Sequence, residues 1–132
     1  MKKSTKKGRI VIPAGRKPWP HELRVAEILA AAGHMVEFLP ETSLKTADIR
    51  LYGVEYEIKS PFTNKPDKLE RNLKRALKQS KNIIFDSSRT KNIRDDKLYK
   101  FLMTKAGQQK QIGRLIFITK RGRTIEISGQ FC

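Results

Sequence analysis

The sequence predicts an α/β domain, a mixed β-sheet flanked by helices, and three features of its 132 residues point there. From Ala47 to Pro61 the residues alternate with period two on both sides of Tyr52-Gly53, as in a hairpin. Stretches with helical spacing precede and follow that hairpin, the first of them stopped by Gly33. Short apolar runs, Asn82–Asp86 and Leu115–Thr119, divide the later part of the chain as buried strands do. The resulting order is α-β-β-β-α-β-α-β-β, a mixed sheet with helices packed on it.

Residues 1–19 hold seven Lys or Arg and no acid, and Gly8, Pro13, Gly15 and Pro18 break any regular pattern. They read as a basic, mobile arm with an extended piece at Ile10–Ile12, ahead of a single domain over 20–132. Pro20-His21-Glu22 opens the first helix, because proline is tolerated in a first turn and an acid suits the positive end of the helix dipole. Leu23, Ala26, Leu29 and Ala30 form its buried stripe. A strand around Val36 and Phe38 follows and ends at Pro40, and Thr42–Thr46 is a loop.

In the hairpin, Ala47, Ile49 and Leu51 form one apolar row and Val54, Tyr56 and Ile58 the next. If Tyr52-Gly53 is a two-residue turn, Leu51 faces Val54, Arg50 faces Glu55, and Asp48 faces Glu57. Directly opposed side chains stand about 4.5–5.5 Å apart, where like charges destabilise a sheet. Two carboxylates held together beside Lys59 therefore look like a metal site. Arg50 and Glu55 read as a surface ion pair.

Thr63-Asn64-Lys65-Pro66-Asp67 supplies capping and first-turn residues for a second helix, with Leu69, Leu73, Ala76, Leu77 and Ser80 on its core face. Lys68, Arg71, Lys74, Arg75, Lys78 and Lys81 crowd its other sides. Like charges at this spacing oppose a helix by about 0.2–0.5 kcal/mol per pair, and a bound polyanion removes that repulsion. After the strand Asn82–Asp86 come a polar loop at Ser87–Asn92 and a third helix from Asp95 to about Lys110. Leu98, Phe101, Leu102 and Ala106 point inward from that helix, while Asp95 and Asp96 suit its first turn. Leu115–Thr119 and Thr124–Ser128 are the last strands, joined through Lys120-Arg121-Gly122-Arg123.

A formal charge of +16 draws polyanions: nucleic acid first, an acidic membrane second, an acidic protein third. No run approaches the ~20 apolar residues of a membrane span. Ile10-Val11-Ile12-Pro13 is too short for the apolar core of a signal peptide, so none is expected. One cysteine, Cys132, excludes an internal disulfide. Trp19, between two prolines, reads as packing against the first helix in preference to stacking on a base. A two-histidine ribonuclease using His21 and His34 ranks low, because neither has an evident orienting partner. Zinc-ligand spacings, phosphate-binding glycine loops and serine-nucleophile motifs do not occur.

Phosphodiester cleavage needs a nucleophilic water, charge relief at the phosphate and help for the leaving oxygen. Carboxylate-held Mg²⁺ or Mn²⁺ supplies these, and a lysine alongside orients or deprotonates the water. Asp48 and Glu57 provide the oxygen ligands that hard ions prefer, with the Ile58 carbonyl as a further one.

This Asp48…Glu57-Ile58-Lys59 arrangement resembles the PD-(D/E)xK nuclease superfamily, although Ala47 stands where the pattern has proline. The order from Pro20 to Asp86 is similar to that superfamily's restriction-endonuclease-like core, α-β-β-β-α-β, here extended by a C-terminal helix and β-hairpin. The resemblance implies a glutamate on the first helix, Glu22 or Glu27. Glu22 is preferred, because archaeal-type Holliday junction resolvases have theirs a similar distance before a helix-ending glycine such as Gly33. It also implies a residue from the second helix, for which Gln79, on one stripe with Asn72 and Arg75, is the candidate.

A closer resemblance is carried by His21-Glu22-Leu23-Arg24-Val25-Ala26-Glu27, by Asp48…Glu57-Ile58-Lys59-Ser60-Pro61 and by Ala76…Gln79-Ser80…Ile83-Ile84-Phe85-Asp86. These look like the C-terminal tRNA-nuclease domains of contact-dependent growth inhibition toxins and related phage-encoded proteins. The implied function is a metal-dependent, toxin-like endonuclease acting in the cytoplasm on RNA, above all tRNA. Arg71, Arg75, Lys78 and Lys81 are its candidate nucleic-acid contacts. An inhibitor or immunity protein, if one exists, is expected to be acidic, since opposite charge speeds association. The alternatives are a structure-selective or nicking DNA endonuclease of the same superfamily, and a non-catalytic basic nucleic-acid-binding protein.

Overall fold

The computed structural model describes residues 7–42 and 46–128. Met1–Lys6 of the expected arm, Ser43–Lys45 of the expected loop, and residues 129–132 with Cys132 lie outside the described residues. In chain order the elements are β1 (Arg9–Val11), α1 (Pro20–Ala31), β2 (Met35–Phe38), β3 (Ile49–Leu51), β4 (Val54–Lys59), α2 (Pro66–Leu77), β5 (Ile83–Asp86), α3 (Asp95–Gln108), β6 (Leu115–Ile118) and β7 (Thr124–Ser128). The expected α/β order is present, with β1 added in front.

The strands form one seven-stranded sheet whose spatial order is the chain order. β3 runs antiparallel to both β2 and β4, and β4, β5 and β6 run parallel. β1 joins β2 in parallel, and β7 closes the other edge antiparallel to β6. The hairpin has the register its turn dictates: Leu51 opposes Val54, Arg50 opposes Glu55 and Ile49 opposes Tyr56. Tyr52 and Gly53 both have positive φ, 49° and 81°, as a two-residue hairpin turn with the twist of its strands requires. Tyr52 is helped into that conformation by its hydroxyl, which donates to the Gly33 carbonyl at 2.9 Å.

Both faces of the sheet are covered. α1 packs Val25, Ala26 and Leu29 against Val36, Ile49, Tyr56, Ile58, Ile84 and Ile116. α2 and α3 pack Leu69, Leu73, Ala76, Leu98 and Leu102 against Ile83, Phe85, Leu115 and Phe117 on the other face. α1 stops where Gly33 takes φ 100°. There the Gly33 N–H bonds to the Ala30 carbonyl and the His34 N–H to the Leu29 carbonyl, a glycine-dependent helix end.

Three expectations are corrected. The described part of the segment read as a free arm is instead tied to the fold: the Gly8 N–H donates to the Ala30 carbonyl at 2.6 Å, and Arg9–Val11 pair with Met35–Glu37. Glycine is required at position 8, since a Cβ there would run into the His34 backbone. Side-chain capping of α2 does not occur. The Thr63 hydroxyl accepts from Lys65 N–H, and Asn64 is spent on the Lys91 carbonyl. Finally, α2 ends at Leu77, so Ser80 leaves its core face. The Ser80 hydroxyl and the Asn82 amide both donate to the Glu55 carbonyl, at 3.0 and 3.1 Å, and pull the chain off the helix axis.

Candidate active site

Strand alternation decides which side chains of β4 reach the site. Tyr56 and Ile58 point into the core beneath α1, so Glu57 and Lys59 take the opposite face. Their registered neighbours on β5, Ile83 and Phe85, belong to the core beneath α2 and α3. The β3–β4 ladder ends at Ile49–Tyr56, and Asp48, just before β3, follows beyond it alongside β4. The Asp48 N–H donates to the Tyr56 carbonyl at 3.0 Å, and Asp48 Oδ2 accepts from the Ile58 N–H at 2.8 Å. In a strand the C=O of a residue points to the same edge as its N–H, so the Ile58 carbonyl also lies on the Asp48 side.

Two acids in so small a space disturb one another. Burial, followed by the charge of Asp48, pushes the Glu57 carboxyl from 4.5 up to about 8, with Lys59 acting against the shift. Burial likewise raises Asp48, opposed by the Ile58 N–H. The two carboxyls thus stand close enough for each to act on the other's titration. Lys59 Nζ stands 3.8 Å from Glu57 Oε2. Among the described residues, Glu57 Oε1 and Gln79 Oε1 are buried with no hydrogen-bond partner. Both residues line, with Asp48 and Arg16, a cavity of about 420 Å³. Two orphaned acceptors beside a carboxylate suit a cation or a bound water.

The structure separates the remaining sequence candidates. Glu22 approaches from α1, the helix on the other face, and its Oε1 accepts from the Trp19 N–H at 2.9 Å, closing the start of α1. Its charge acts on Asp48 and Glu57. Even so, among the described residues no three His, Cys, Asp or Glu side chains are grouped to hold one ion. A metal here would rest on Asp48, Glu57, the Ile58 carbonyl and water, a set that suits Mg²⁺. Glu27 is exposed.

Gln79 reaches the cavity, but from the turn after α2 and not from a helical stripe with Asn72 and Arg75. Arg71 and Arg75 line a second cavity, of about 540 Å³, together with Lys59. Lys78 and Lys81 are exposed and line neither cavity. Arg50 and Glu55 form the expected surface pair at 3.4 Å.

Sequence reasoning missed Arg16. Placed in the arm by its basic neighbours, its side chain is only 2% exposed. Its Nε donates to the Leu39 carbonyl at 2.9 Å, and its guanidinium lies 3.5 Å from Glu22 and 4.0 Å from Asp48. Thus the arm's arginine bridges two acids of the site. Nothing in the local sequence marks it, since all its partners are distant or across a turn. Asp86 was missed too. Fully buried, it accepts from Arg24, Ser60 and Ser88. A carboxylate closing an apolar strand was the available signal, since such a group must find donors.

A family model described as the contact-dependent growth inhibition CdiA C-terminal domain matches residues 45–124. That span is more than half of the chain and contains Asp48, Glu57, Lys59 and Gln79; the chain belongs to this family. Among solved structures it is similar to the CdiA-CT/CdiI toxin and immunity complex from Burkholderia pseudomallei, with a TM-score of 0.67 and 15% identity over 92% of this chain and 99% of that one. At that identity the likeness establishes the shared α/β fold. No curated protein matches.

Proposed function

We propose that this chain is a metal-dependent endonuclease of the PD-(D/E)xK type that hydrolyses phosphodiester bonds in RNA, above all tRNA, as a toxin acting in the cytoplasm. One observation carries the reading. The buried Glu57 and the half-buried Asp48 carboxyls lie close enough to act on each other's charge, beside Lys59 and, among the described residues, the unpartnered oxygens of Glu57 and Gln79.

Asp48 and Glu57, with the Ile58 carbonyl, would hold Mg²⁺ or Mn²⁺. When bound, such an ion supplies charge relief at the phosphate and an activated water. The chain's own groups do the rest. Lys59 points a charged donor at the phosphate oxygens or at the attacking water. Gln79 accepts from that water and so orients it. Arg71 and Arg75, lining the cavity around Lys59, hold the flanking phosphates, while Lys78 and Lys81 supply charge further along α2 and its following turn. Glu22 acts at a remove, by fixing Arg16 and the start of α1. An acidic immunity protein is the partner this basic surface would attract; the similar structure is itself a toxin and immunity complex.

The test is to incubate the protein with tRNA, single-stranded RNA and supercoiled plasmid, each with Mg²⁺, Mn²⁺ or EDTA. RNA should be cut with either metal and left intact in EDTA, and Lys59→Ala and Glu57→Gln should abolish cutting. Cleavage of plasmid alone would turn the reading to a DNA nuclease. Salt-dependent binding without cleavage, or variants that cut as well as the parent, would overturn the catalytic assignment.

A further inference from the structure

Trp19 and Phe62 are large apolar side chains left 64% and 67% exposed, and both stand beside one pair of residues. His21 and Arg89 line the cavity that contains Phe62, Lys59, Arg71 and Arg75. The same two line the adjacent hollow that contains Trp19 and Arg24. Trp19 thus does not cover the first helix as its sequence context suggested. Among the described residues, no carboxylate lines either hollow.

Arg89 is held as a rigid plate. Its Nε donates to the Ser60 carbonyl at 2.8 Å, and its Nη1 to His21 Nδ1 at 3.3 Å. The centre of its guanidinium lies 4.1 Å from the centroid of the Phe62 ring. Burial, then the charge of Arg89, lowers the His21 pKa, so the ring is neutral near pH 7 and free to accept that bond. Behind this plate sits Asp86, which binds the Ser60 and Ser88 hydroxyls at 2.8 Å each and so fixes the residues on both sides.

Exposed aromatic rings beside a fixed guanidinium plane, in a basic cleft, are suited to flat π ligands. Nucleic-acid bases are such ligands, but in a duplex their faces are already covered by stacking; only unpaired bases offer them. Lys59, Arg71 and Arg75 in the same cleft match the phosphates of the strand carrying those bases. We infer that Trp19, Phe62 and the Arg89–His21 pair form a stacking subsite for unpaired bases, selecting single-stranded or looped nucleic acid next to Lys59. The inference rests on the nucleic-acid reading of this cleft, and not on cleavage.

Trp19 is the chain's single tryptophan, so its fluorescence reports directly on the subsite. The protein is titrated in EDTA with a short single-stranded RNA, the same sequence as DNA, and the matching duplex. Single strands should quench Trp19 and bind at least about 10-fold more tightly than the duplex. Phe62→Ala, a change at an exposed ring that leaves the core intact, should weaken single-strand binding by about 5–100-fold and leave duplex binding within about 2-fold. Trp19→Ala, followed by the anisotropy of a labelled strand, should act in the same direction. A preference for RNA over DNA would add 2′-hydroxyl contacts to the stacking, and equal binding would leave stacking alone; both support the subsite. Equal affinity for strand and duplex, or unchanged binding by Phe62→Ala, overturns it. These outcomes do not depend on whether any substrate is cut.

Discussion

Replacing Glu57 by Gln removes an ionisable group with little change in size; among the described residues Glu57 Oε1 has no hydrogen-bond partner to lose, and the charge facing Lys59 at 3.8 Å goes with the proton. In the parent, burial and the Asp48 charge keep this carboxyl protonated to about 8, against 4.5 for a free glutamate. Between those values the folded chain carries a proton that the unfolded chain has released, so the slope of stability with pH is negative. The stability tied to that proton is fully present below pH 4.5 and is lost as pH rises through about 8. Because Asp48 titrates against this carboxyl and the cavity admits water, we take the effect as about 1–2 kcal/mol, well below the full displacement at 1.36 kcal/mol per pKa unit. For a chain of this size that is roughly 3–8 °C in melting temperature. Thermal melts in EDTA from about pH 6 to about pH 9 should therefore show the parent falling relative to Glu57→Gln. Added Mg²⁺ should stabilise the parent more at the alkaline end, since carboxylate ligands must first lose their protons. It should leave the variant unmoved. Parallel curves for parent and variant, with and without Mg²⁺, would refute the assignment of this proton to Glu57.

Two further substitutions probe the frame around the site. Arg16→Met removes the cation between Glu22 and Asp48 and leaves the Leu39 carbonyl without its donor, which should cost about 2–4 kcal/mol by chemical denaturation. Arg16→Lys should recover only part, since one ammonium does not reproduce the guanidinium fork. For Asp95, burial raises the carboxyl pKa but is outweighed by the Lys120 N–H, the Ser87 hydroxyl and the Lys120 charge, so the net shift is downward. A lowered folded pKa gives stability that is present above the unfolded value and lost as pH falls through the folded one. Asp95→Asn should therefore cost about 1–2 kcal/mol at neutral pH. The gap from the parent should close in acid, below the ordinary aspartate value of 3.8; a gap independent of pH would refute the linkage.

What the sequence made legible follows from how local each cause is. The hairpin announced itself because a period-two pattern and a two-residue turn fix the register between them, from Leu51–Val54 to Ile49–Tyr56. The end of α1 was equally plain, since Gly33 alone tolerates the required φ. Of β1 only an extended piece at Ile10–Ile12 was legible, not its place in the sheet. Ile10 alone of its three residues is half-buried against the core, and the neighbouring strand and a glycine-sized gap at position 8 define the rest. Arg16 was misread because its neighbours in sequence are basic and mobile in character, while its partners, the Leu39 carbonyl and Asp48, come from elsewhere in the fold. Gln79 lines one cavity with Asp48 and Glu57, but not for the local reason its sequence suggested: the end of α2 is set by Ser80 and Asn82 seeking the Glu55 carbonyl, a contact 25 and 27 residues back. The His21–Arg89 pair spans 68 residues, so no window of sequence contains it.

The coincidence of spatial and sequential strand order has a mechanical consequence. No strand is wedged between strands from distant parts of the chain, so tension applied at the two ends acts first on the edge strands. On the N-terminal side the load meets the Gly8–Ala30 bond and the three-residue ladder of β1 and then the Arg16 clasp on Glu22 and Asp48. Pulling from that end should therefore reach the acidic site before the core beneath α2 and α3. On release, each strand has its predecessor in the chain as its template, and recovery needs no threading.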